Sequence, residues 1–200
     1  RGDLMRAIAL RMSERKAEIA EIVALETGKS RAEALGETQA AIEMGFFVAG
    51  EGRRYYGKTT TASMAHRTVM TQRMPLGIAG LVIASNTPIA NVAWKAFPAM
   101  LCGNPAIMKP SEDTPATAWI FGEICEEAGL PPGVFNLVQG LGAEAGAPLV
   151  ESPAVDIVSF TGSCQTGTVI QTAAGRRLAK VCMELGGKNA LVVCDDADLD

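Results

Sequence analysis

Apolar residues recur at helical spacing through the first part of the chain. Leu4, Ile8, Met12, Ile19, Ile22, Val23 and Leu25 stand among Glu, Arg and Lys, and this predicts one amphipathic helix over 4–27. Asp3 is placed to cap it and Gly28 to stop it. A second helical pattern runs over 30–55, with Leu35, Ile42, Phe46 and Phe47 on its apolar side. Its glycines are weak helix formers, so tertiary packing has to hold it. The character then changes. The stretch KTTTASMAHRTVMTQRMP is rich in threonine, with Val69 and Thr71 in alternation, and predicts extended strands.

From Gly77 onward short apolar runs follow one another: IAGLVIA, PAIMK, VFNLV, DIVSF and AKVCMEL. Segments able to form helices lie between them, over 88–102, 114–128, 142–151 and 164–176. Runs without alternation predict strands buried on both faces, and strands separated by helices pair in parallel through right-handed crossovers. The fold class expected is α/β, a doubly wound, mostly parallel Rossmann-like sheet preceded by helices and a strand excursion. Ligands of such sheets bind beyond the carboxyl ends of the strands.

Composition narrows the function. A chain of 200 residues suits one α/β domain, and 48% hydrophobic residues with a mean hydropathy of +0.17 fit buried parallel strands. A net charge of −4 argues against nucleic acid, whose binding rests on clustered Lys and Arg. The five cysteines are widely spaced and are expected to be reduced and mostly buried; with a single histidine, His66, no metal site is expected. No run approaches the roughly 18 apolar residues of a membrane span, and no signal peptide is evident, so a cytoplasmic protein is the default. Arg1 at one end and DDADLD at the other suggest a fragment of a longer protein.

The candidate chemistry lies at the strand ends. The first ends in Ser85-Asn86-Thr87-Pro88, where Asn86 is either a helix cap or an N–H donor for an oxyanion. The second ends in Lys109-Pro110-Ser111-Glu112, a solvated ion pair or a grip on a ribose. A carboxylate there repels a 2′-phosphate and favours NAD over NADP. The fourth ends in FTGSCQTG, either a plain strand-to-helix turn that binds nothing or one whose glycines let backbone N–H groups approach a pyrophosphate. The fifth ends in MELGGKN. Glu184 at that apolar terminus is expected to be partly desolvated and poised as a general base, or else paired with Lys188.

Taken together, the stretches RMPLGIAGLVIASNTP, FPAMLCGNPAIMKPSEDTP, EEAGLPPGVFNLVQGLG, VDIVSFTGSCQTG and MELGGKNALVVCDDADLD resemble the aldehyde dehydrogenase superfamily in order and spacing, over nearly the whole chain. The resemblance implies an NAD-binding domain over 1–200, with the catalytic domain beyond it. It implies that Asn86 donates to the oxyanion and that Glu184 is the general base. Lys109 and Glu112 would hold the adenosine ribose, Gly142 would lie against the adenine, and Ser163 would bind the pyrophosphate in the Gly162–Gly167 turn. Ile83, Thr161, Leu185 and Gly186 complete the implied cofactor contacts.

The substrate implied is a small-molecule aldehyde, oxidised through a cysteine thioester. The nucleophilic thiol is expected past Asp200, so these residues alone should not turn over. Residues 57–74 match the family's oligomerisation strands and imply a homodimer or homotetramer. One departure stands out: the family usually has Trp before the Asn and often Phe after it, where this chain has Ser85 and Thr87, which suggests a roomier or more polar pocket. Two alternatives are a CoA-acylating relative, which typically lacks Glu184, and a nucleotide-binding module without turnover.

Overall fold

A computed structural model describes residues 1–198. The helix expected over 4–27 is two helices, α1 (Gly2–Glu14) and α2 (Lys16–Thr27). Arg15 leaves helical geometry at φ −99° and ψ 16°, and its guanidinium bonds Glu18 on α2 and Glu127 far along the chain, both at 2.8 Å. That break lets Met5, Ile8 and Met12 on one side, and Ile19 and Val23 on the other, both reach the core. Asp3 does not cap α1 but lies in its first turn, where a carboxylate suits the positive end of the helix dipole. Gly28 stops α2 as expected, with a left-handed φ of 72° and its N–H on the Ala24 carbonyl.

Ser30 caps α3 (Arg31–Glu51) in a reciprocal box with Glu33, and the Ser30 hydroxyl and backbone hold the Glu33 carboxyl below the ordinary range. The α3 glycines are less a weakness than the pattern suggested. A Cβ on Gly45 would stand 2.7 Å from the Phe97 ring and 2.8 Å from Ala9, so glycine is what lets three helices approach there.

Residues 57–74 carry β1 (Thr59–Thr61) and β2 (Thr68–Met70), an antiparallel pair with Thr60 opposite Val69. Both strands are exposed throughout, away from the core. The main sheet has five parallel strands: β3 (Ala79–Val82), β4 (Ala106–Lys109), β5 (Phe135–Leu137), β6 (Ile157–Gly162) and β7 (Lys180–Leu185). Their order is β5-β4-β3-β6-β7, so direction of growth reverses between β3 and β6. The connecting helices are α4 (Pro88–Leu101), α5 (Pro115–Glu127), α6 (Ala147–Glu151) and α7 (Cys164–Gly175). A single π turn, Gly142–Gly146, leads into α6.

Two apolar clusters fill the layers. One joins α1–α5 to β3 and β4, with Phe121 meeting both Phe97 and Phe135 edge-on. The other packs Val158 and Phe160 of β6 against Ile170 and Ala174 of α7. The reading of AKVCMEL as a strand buried on both faces is corrected: among the described residues β7 is an edge strand and largely exposed. Among the described residues no helix is long and apolar enough to cross a membrane.

Candidate functional site

The reversal of strand order between β3 and β6 opens a crevice at the carboxyl edge of the sheet, as expected for a doubly wound fold. A cleft of about 830 Å³ lies there, walled by α4 and the ends of β3, β6 and β7. Asn86, Thr161, Gly162, Ser163, Glu184, Leu185 and Gly186 all line it. Thr87 rather than Asn86 holds the cap position of α4, and Pro88 takes the first helical turn, where its missing N–H costs nothing. Asn86 thus stands one residue ahead of the cap and lines the cleft.

A second cleft, of about 610 Å³, lies on the other side of α7 and is lined by Val82, Lys109, Gly142, Val150, Thr166 and Val169 among others. The first turn of α7 stands between the two: Ser163 borders one cleft, and Gln165 and Thr166 border the other. Lys109 is only 3% exposed, and its ammonium donates to Glu112 at 3.0 Å. The open ion pair considered from sequence is thus half buried. A backbone hydrogen bond, then Lys109, hold the Glu112 carboxyl below the ordinary range.

Ile83 and Gly167 line neither cleft. Ile83 is buried in the larger core at the end of β3, and Gly167 is the point where α7 meets β7, since a Cβ there would stand 2.6 Å from Leu185 Cδ2. The burial expected of Glu184 is also absent. β7 is the sheet's edge, so Glu184 is exposed, and it forms no ion pair with Lys188 among the described residues. The cysteines depart from expectation for related reasons. Only Cys125 is buried, where desolvation pushes its thiol well up; Cys164 and Cys182 are exposed at the crevice edge, and Cys194 beyond β7.

Pairing register stacks the chemistry in a column. Ser159 faces Cys182, and two residues on Thr161 faces Glu184, so all four share the cleft side of β6 and β7. Lys95 enters this column from α4 and donates to the Ser159 hydroxyl at 2.9 Å. Burial lowers its ammonium pKa below the ordinary lysine value, while Cys182 and Glu184 pull the other way. Lys95 was missed in the sequence, although its signal was there: the one charge in the helix PIANVAWKAFPAML.

Helix ends complete the picture. Helices α4 and α5 both point their amino termini at this edge, and both ends are filled by the chain's own carboxylates. Glu37 accepts from the N–H groups of Ile89 and Ala90, and Glu26 from those of Ala116 and Thr117. The first turn of α7 carries only its own cap, the Ser163 hydroxyl accepting from Thr166. The first turn of α7 is thus left without a carboxylate among the described residues.

The family model described as "Aldehyde dehydrogenase family" matches residues 1–200. The chain belongs to that family. It is 41% identical over its whole length to a chloroplastic aminoaldehyde dehydrogenase of Arabidopsis thaliana and 42% to an alpha-ketoglutaric semialdehyde dehydrogenase of Bacillus subtilis. It spans about 40% of the length of those relatives. Among solved structures, betaine aldehyde dehydrogenase of Staphylococcus aureus in complex with NAD+ superposes with a TM-score of 0.95 at 33% identity, over 98% of this chain and 39% of that one. An NAD-dependent aldehyde dehydrogenase of Sinorhizobium meliloti gives 0.91 at 37% identity, over 94% of this chain and 37% of that one. Other aldehyde dehydrogenase relatives carry peroxisomal names.

Proposed function

We propose that this chain is the NAD-binding part of an aldehyde dehydrogenase that oxidises a small aldehyde to its carboxylic acid. The observation that carries the reading is the shared cleft of Asn86 and Glu184, an amide donor and a carboxylate brought together from the ends of β3 and β7.

The residues present fit a dinucleotide. Two clefts flank the first turn of α7, which no carboxylate fills among the described residues, an arrangement that suits a mononucleotide on each side of a diphosphate. Lys109 and Glu112 would hold the ribose hydroxyls and Gly142 the adenine side, with the diphosphate at Ser163. Thr161, Leu185 and Gly186 would border the nicotinamide, which when bound accepts a hydride.

The chain's own residues then divide the acyl chemistry. The Asn86 N–H donates to the oxyanion formed when a cysteine thiolate, supplied by the rest of the enzyme, adds to the aldehyde. Glu184 takes a proton from the water that hydrolyses the resulting thioester. Its presence favours water over CoA as acyl acceptor, which a product assay with and without CoA checks. The exposed strands of 57–74 would pair with another copy of the enzyme, giving a dimer or tetramer.

In the full-length enzyme, Glu184→Gln should give a burst of NADH followed by slow turnover, and Asn86→Ala should lose the burst rate itself. Wild-type steady-state rates in both variants would refute the assignment.

A further inference from the structure

We infer that Glu37 is a positioning residue for Asn86, holding the start of α4 so that the carboxamide keeps its place in the cleft. The inference rests on the oxyanion reading of Asn86.

Helix α4 begins at Pro88, which has no N–H, so Ile89 and Ala90 carry its first unpaired donors. A cap side chain ordinarily takes such donors. Thr87 sits at the cap but does not: its hydroxyl accepts from the Asn91 side chain at 3.1 Å instead. Glu37 of α3, fifty-two residues before Ile89, replaces it, with one oxygen accepting from Ile89 at 3.0 Å and Ala90 at 3.2 Å. Its other oxygen meets the Lys29 ammonium at 2.5 Å, and the Glu37 side chain is only 6% exposed. Ile89 and Ala90 are themselves buried. The carboxylate is therefore desolvated, doubly occupied and seated on the positive end of α4, a charge-assisted arrangement that fixes geometry tightly.

Asn86 lies just ahead of this anchor, and its side chain has no hydrogen-bond partner among the described residues. With no side-chain partner, the carboxamide's place in the cleft is set by the position of the backbone that carries it. That backbone runs from the end of β3 to the turn Glu37 holds.

The test is made in the full-length enzyme, with kcat and NAD dissociation measured for Glu37→Ala, Glu37→Gln, Asn86→Ala and the two double variants. Displacing a catalytic group by about 1 Å costs on the order of 100-fold in rate, so Glu37→Ala should lower kcat by up to that factor with NAD binding unchanged. Glu37→Gln keeps an acceptor and should recover most of the rate. Neither change should slow the Asn86→Ala enzyme further. Should Glu37→Ala fail to fold, the smaller loss in Glu37→Gln must still vanish in the Asn86→Ala background. A slow Asn86→Ala enzyme combined with a Glu37 effect that is nil, or that persists undiminished in that background, overturns the positioning role alone. An Asn86→Ala enzyme with wild-type kcat overturns the oxyanion reading and the inference together.

Discussion

The ammonium of Lys95 rests on the hydroxyl of Ser159, and that single bond ties the middle of α4 to the middle of β6 inside the cleft. It does so against desolvation, which lowers the lysine pKa. The folded state therefore binds this proton less tightly than the unfolded chain, and stability must rise with pH between the lowered value and the ordinary lysine pKa near ~10.4. Lys95→Met should remove that rise. Thermal melts between neutral pH and pH ~10 are expected to show the wild type gaining on the variant as pH increases; parallel curves would contradict it.

Glu112 lines neither cleft itself but pairs with Lys109, which lines the second, and a backbone hydrogen bond and Lys109 hold its carboxyl below the ordinary range. A depressed carboxyl keeps its charge above its folded pKa and loses it only as pH falls through that value, below the ordinary carboxylate range. Discrimination against NADP should thus persist through mildly acidic pH. Glu112→Gln is expected to tighten NADP more than NAD, by a ratio of about 10 in Kd, read by fluorescence titration. An unchanged ratio would remove Glu112 from cofactor selection.

Lys109→Met should weaken NAD binding in the full-length enzyme without lowering thermal stability much, because the buried stem is replaced by one of similar volume. The variant also leaves Glu112 without its partner, though that carboxylate is half exposed and can turn to water. Equal NAD affinity in variant and wild type would argue against a ribose contact.

Gly45→Ala tests packing alone. The added methyl meets the Phe97 ring and Ala9 well inside contact distance, in a region where both are fully buried. Overpacking of this kind costs about 1–3 kcal/mol, readable as a lower denaturant midpoint at constant slope.

Met70→Pro addresses association. Thr71 donates to Lys58 across the hairpin at 2.8 Å, so by antiparallel alternation the Met70 N–H points outward, free for another strand. Proline removes that donor from an exposed edge while sparing the hairpin's own bonds. Light scattering on the full-length variant should report a smaller species than the wild type.

The sheet was legible because each parallel strand is a short run of apolar residues bounded by turn signals, and VFNLV or DIVSF admits little else. Where some strand ends lie was legible through motif, since Asn86, Thr161, Ser163 and Glu184 all border the first cleft. Three things were not. Arg15 breaks a continuous helical pattern for the sake of Glu127, a partner remote in sequence that periodicity cannot see. The exposure of β7 depends on what stands beside it, and an apolar run reads alike at the centre or the edge of a sheet. Glu37 and Glu26 look like ordinary polar positions on α3 and α2, yet both reach across to cap helices that begin far downstream.

Strand order has a consequence for how the molecule assembles. β3 comes first, β4 and β5 are added outward on one side, and β6 and β7 then outward on the other. Each new strand finds a free edge, and none has to wedge between two already joined. The sheet can thus grow in step with synthesis, domains generally folding from the amino end as the chain emerges. Of the five strands, β7 emerges after the other four, so the walls of the cleft formed by β3, α4 and β6 are in place before Glu184 joins them.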